Sequence, residues 1–105
     1  MAGAMEVDFG PVVERLGLHV VFLSVSRHDE VFVRVTLEAY EGLCVPRAHD
    51  PDYAEGRTLL SLFVMPDFVR EVRALLDDLA STADLTFVCA EPQWLVEVEH
   101  ALLEG

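Results

Sequence analysis

The sequence predicts an α+β domain: a four-stranded antiparallel sheet with two helices on one face and a further helix at the C-terminus. Three observations predict it. Largely apolar runs at 18–25, 43–48, 58–64 and 85–90, the first of them also rich in valine, are bounded by polar or proline-bearing breaks, as strands are. Residues 66–80 carry Phe68, Val69, Val72, Leu75, Leu76 and Leu79 at the spacing of one helical face. The chain of 105 residues suffices for one core and is too short for two ordinary domains.

Residues 1–17, punctuated by Gly3, Gly10, Pro11 and Gly17, read as a loosely structured arm. The first strand follows with Val20, Val21, Phe22, Leu23 and Val25, continuous enough to be covered on at least one face. After it, Ser26 and Asp29 have the spacing of a helix capping box. Residues 31–40 are ambiguous. Val33, Val35, Leu37 and Ala39 alternate with polar partners as a strand would, whereas Glu30, Arg34, Glu38 and Glu41 share one helical stripe with i,i+4 pairs. Gly42 would cap such a helix, and periodicity puts the helix only slightly ahead.

A short strand at 43–48 leads into the polar turn Asp50-Pro51-Asp52 through Glu55-Gly56, then the strand at 58–64. Pro66 and Asp67 suit the first turn of the helix at 66–80, where a missing N–H costs nothing and negative charge meets the helix dipole. Residues 81–84 form a loop before the last strand, 85–90. Pro92 opens a final helix with Trp94, Leu95, Val98, Ala101 and Leu102 on its apolar face, and with Glu97, Glu99 and Glu104 largely away from it. With 30–41 helical, the order is strand, helix, strand, strand, helix, strand. This is the split βαβ arrangement of ferredoxin-like domains, with sheet order fourth, first, third, second. Residues 18–90 make up that domain, and 91–105 a helix packing on it or on a partner.

Nineteen acidic residues face seven basic ones, all arginine, for a formal charge of −12. That excess repels phosphate backbones and anionic membranes, so nucleic acid and membrane are not expected partners. No run is long and apolar enough to span a bilayer, and no secretory signal pattern opens the chain; a cytoplasmic location is the expectation. Cys44 and Cys89 lack a CxxC pattern and read as reduced thiols filling core space. In a ferredoxin-like sheet they lie about 14 Å apart, too far to bridge.

The run from Val20 to Val88 resembles a family of small uncharacterised bacterial domains. Arg27, the stretch LEAYEGL at 37–43, Asp50-Pro51 and MPDFVREVRALLDDL at 65–79 carry the resemblance. It implies a ferredoxin-like fold similar to ACT regulatory domains, a helical 30–41, and no established activity. ACT domains bind amino acids or other small effectors at a dimer interface, near a glycine-containing loop after the first strand. Here that loop, Ser26 to Glu30, has no glycine, so its backbone cannot approach a ligand as freely.

Four groups of residues are candidate sites. Arg27, His28 and Asp29 stand where the first strand meets the first helix and could hold a carboxylate or phosphate, or simply form a capping loop. Glu38 and Tyr40, in the most specific part of the resemblance, could recognise a ligand or sit at the surface. His49, Asp50 and Asp52 are a tight His/carboxylate cluster, and could hold a divalent cation if another segment supplied a further ligand; Asp-Pro-Asp is also ordinary turn chemistry. Trp94, Leu95, Val98 and Leu102 are interface candidates. His19 and His100 receive no role. No glycine-rich phosphate loop, GxSxG, HExxH or EF-hand pattern is present, and no cofactor is expected.

The expectation is therefore a regulatory or small-effector-binding module acting as a homodimer. The alternatives are a protein-interaction module using the acidic surface and terminal helix, and a metal-assisted enzyme. Trp94 separates the first two: exposed in an interaction module, buried if the helix covers the domain's own sheet.

Overall fold

The computed structural model describes residues 12–13, 16–40 and 42–104. Among them the chain forms β1 (Val12–Val13), β2 (Leu18–Ser26), α1 (Glu30–Glu38), β3 (Cys44–Ala54) and β4 (Arg57–Val64). A 3-10 turn (Pro66–Phe68), α2 (Val69–Ala80), β5 (Leu85–Val88) and α3 (Pro92–Glu104) complete it. The fold is α+β: an antiparallel sheet of five strands with three helices among the described residues.

The sheet runs β5–β2–β4–β3, and the short β1 also pairs with β2, Val12 opposite His19. β2 and β4 are the central strands, in register from His19 opposite Val64 to Ser26 opposite Arg57. Their near-continuous apolar runs, interrupted by the buried Ser24 and Ser61, have a direct cause: both faces of the sheet are covered. On one face Val21, Leu23, Val25, Leu60, Leu62 and Val64 pack with Val33 and Leu37 of α1 and Val72, Leu76 and Leu79 of α2. On the other, Val20, Phe22, Leu59 and Phe63 pack with Trp94, Leu95, Val98 and Leu102 of α3.

Residues 30–38 are helical, and the tertiary reason is visible: Val33 and Leu37, one turn apart, are fully buried against the sheet. The helix ends earlier than its pattern suggests. Its C-cap is Ala39 rather than Gly42, whose φ of +87° serves the following turn instead. Glu41 lies outside the described residues. At the N-terminus the expected Ser26–Asp29 capping box does not form: the N-cap is Asp29 with no side-chain cap, the Asp29 N–H donates to Ser26 Oγ at 3.2 Å in the turn before the helix, and the Asp29 carboxylate accepts the Asp84 N–H at 2.8 Å.

The second difference is at β3. The Asp50-Pro51-Asp52 stretch, expected as a turn, belongs to the strand, which runs on to Ala54. Its register against β4 shifts between Ala48 and Asp50 and again between Asp50 and Ala54. β3 is an edge strand, where bulges, proline and charge are tolerated because only one side of the backbone is paired. The chain reverses at Glu55-Gly56, with Gly56 at φ +70°. Of the N-terminal arm, residues 1–11, 14 and 15 lie outside the described residues; Val12–Val13 form β1. No helix among the described residues is long and apolar enough to cross a membrane.

Candidate functional site

α3 does not cover its sheet face evenly. Between it, the edge strand β3 and the neighbouring central strand β4 an open pocket of about 550 Å³ remains. Strand alternation places Arg47 and His49 of β3 and Ser61 and Phe63 of β4 in its floor, and helical spacing places Gln93, Trp94, Glu97, Ala101 and Leu102 in its wall. Arg47 and Ser61 are direct cross-strand partners.

The two sides meet at His49. Its Nε2–H donates to Glu97 Oε1 at 3.0 Å, while Glu97 Oε2 accepts from Gln93 Nε2 at 3.1 Å. The His49 side chain is 10% exposed, its ring edge-on to Phe22 at 5.3 Å and to Trp94 at 6.1 Å. Trp94 also packs on Phe22 at 5.1 Å and Tyr53 at 6.0 Å. A carboxylate can only accept, so the bond fixes the proton on Nε2. Glu97, expected on the solvent face of α3, turns back to the sheet.

Of the His49, Asp50 and Asp52 cluster, His49 and Asp50 line the pocket and Asp52 does not. Asp50 Oδ1 accepts the Asp52 N–H at 3.0 Å, and Asp52 Oδ1 pairs with Arg27 at 2.9 Å. A carboxylate from another segment, Glu97, does reach His49, but among the described residues no three His, Cys, Asp or Glu side chains converge as a metal set would.

The loop after β2 is tied to the β3–β4 hairpin. Arg27 donates to the Pro51 carbonyl at 3.1 Å besides its pair with Asp52, and its backbone N–H donates to the Gly56 carbonyl at 2.9 Å. Asp29 holds the Asp84 backbone, and His28 is exposed. Glu38 and Tyr40 are exposed at the far end of α1, about 12 Å of helix away, so these five residues form no common site. Cys44 is buried and its thiol is pushed up to about 11 by desolvation; Cys89 is exposed, and both are free.

A second pocket of about 550 Å³ lies against the start of α2, lined by His19, Asp67, Arg70 and Arg73 among others. It lacks an aromatic wall, and Arg73 is drawn to the Phe87 ring, 5.8 Å from its centroid.

Sequence reading singled out His49 and Asp50, and separately Trp94, Val98 and Leu102, without joining the two groups into one pocket. It missed Arg47, Ser61, Phe63, Gln93 and Glu97, none of which belongs to a motif. The available signal was the alternation Val45, Arg47, His49 on β3, which puts a cation and an imidazole on one sheet face.

The family model described as a domain of unknown function (DUF4911) matches residues 23–82, more than half of the chain, and the protein belongs to that family. The match spans β2 to α2 and leaves α3 outside, so the pocket has a floor from the family region and a wall from beyond it. Comparison with curated proteins and with solved structures gives no significant match.

Proposed function

We propose that this DUF4911 member is a ferredoxin-like module that binds a small effector between its sheet and α3, and acts through binding rather than chemistry. The strand order β5–β2–β4–β3, with α1 and α2 packed on one face, supports the ferredoxin-like reading; β1 and α3 are additions to it. The observation that carries the binding role is the pocket beside Trp94. Its volume falls in the range of about 300–1,000 Å³ typical of small-molecule sites, and it sets an apolar wall against a few placed polar groups.

The likeness to ACT domains suggested a site at the Arg27 loop. Arg27 already has a carboxylate partner there, so the binding role rests on the sheet–α3 pocket instead. A ferredoxin-like sheet leaves one face to be covered, either by the C-terminal helix or by a second copy of the domain. α3 occupies that face, so effector binding does not require a second copy.

The test is a thermal-shift screen against amino acids, organic acids, nucleotides and divalent metals, repeated on Ala101→Phe. Ala101 is exposed and lines the pocket, so phenylalanine narrows the pocket without entering the core. A ligand at one hundred times its dissociation constant adds about 2.7 kcal/mol to stability, and Ala101→Phe removes that gain. A flat screen leaves the interaction-module reading first, for which the exposed Val31, Phe32 and Val35 on α1 offer an apolar surface.

A further inference from the structure

We infer that the effector taken by the sheet–α3 pocket is an organic monocarboxylate with an apolar body, its carboxylate held by Arg47. This rests on the pocket being the binding site. The argument is an inventory of charge. Both oxygens of Glu97 are occupied, by His49 and Gln93, and one oxygen of Asp50 accepts the Asp52 N–H. Arg27, Arg34 and Arg57 are each in an ion pair. Arg47 also lines the pocket, and among the described residues its guanidinium makes no hydrogen bond or ion pair. The unmatched group in the lining is thus a guanidinium, whose planar fork of donors fits a carboxylate bidentately.

The number of negative charges on the ligand is limited by the same surroundings. Asp50 stands in the lining, and the chain carries a formal charge of −12. Salt screens distant charges beyond about 8–10 Å, so the local guanidinium decides for a single negative charge, while a second meets Asp50 and Glu97 uncompensated. Nucleotides and polyphosphates are therefore disfavoured. The rest of the ligand meets Phe63, Trp94 and Leu102, which reward an aromatic or branched aliphatic body.

Trp94 is the only tryptophan and stands in the pocket wall, so its emission reports occupancy in the full chain. The probes are 3-phenylpropionate, its neutral amide 3-phenylpropionamide and the dianion phenylsuccinate. The expected result is saturable change in emission with 3-phenylpropionate, at least tenfold weaker binding of the other two, and loss of the acid-over-amide preference in Arg47→Gln. Amide binding as tight as acid, or an acid preference that survives Arg47→Gln, overturns the carboxylate assignment and leaves the pocket as a binding site. No response to any probe, with Ala101→Phe indistinguishable from the parent, removes the pocket and the assignment together.

Discussion

His49 on the edge strand and Glu97 on the last helix are joined by a hydrogen bond of 3.0 Å across the sheet–helix boundary, 48 residues apart in the chain. The bond pins the polar end of a contact whose apolar end is Trp94 against Phe22. Replacing Glu97 by Gln keeps the size and an acceptor oxygen but removes the charge, whereas His49→Ala removes the imidazole and its packing. The expected losses in unfolding free energy are about 0.5–1 kcal/mol for Glu97→Gln and about 2 kcal/mol for His49→Ala. Urea unfolding followed by Trp94 emission measures both.

Removing α3 by ending the chain at Glu91 bares Val20, Phe22, Leu59 and Phe63, which are buried in the full chain. A contiguous apolar face of that kind seeks another surface. The shortened chain is expected to associate in a concentration-dependent way on size-exclusion chromatography. A stable, monomeric shortened chain would show that α3 contributes little to covering the sheet.

Arg57 closes the end of the sheet. It donates to Ser24 Oγ at 2.6 Å, to the Ser24 carbonyl at 2.9 Å and to both carboxylate oxygens of Asp84 at 2.9 and 3.1 Å. Lysine cannot reproduce the fork, and Arg57→Lys is expected to lose about 1–2 kcal/mol in denaturant unfolding.

The same pair sets an acid limit. The hydrogen bond from Arg57 holds the Asp84 carboxyl below the usual aspartate range. A group whose pKa is lower folded than unfolded stabilises the fold above its unfolded value, about 3.9, and that contribution is lost as pH falls through the folded value. Asp84→Asn is therefore expected to be less stable than the parent at neutral pH, with the difference shrinking below about pH 4. Unfolding midpoints from pH 7 down to pH 2.5 test the sign.

The two thiols should separate cleanly. Burial pushes Cys44 up to about 11, whereas Cys89 is exposed. Under native conditions at pH 8, a thiol reagent is expected to modify Cys89 alone, with Cys44 reacting only after denaturation. Mass spectrometry of the alkylated protein reads the stoichiometry directly.

By itself the sequence determined the elements whose signal is local. The spacing of Val72, Leu76 and Leu79 makes α2 whatever it packs on, and the apolar runs around Val21–Leu23 and Leu60–Leu62 make the central strands. Family membership was likewise carried by contiguous residues. Other features were decided by partners distant in the chain. Residues 50–54 extend β3 because β4 offers a ladder beside them, which their turn-like composition does not reveal. Glu97 reaches back to the edge strand because His49 is there, although its side chain stays 48% exposed, and the Arg47 guanidinium has no carboxylate partner among the described residues. Periodicity reports which side of an element is apolar; only packing decides which polar groups meet, since a charged side chain is placed by its partner rather than by its neighbours in sequence.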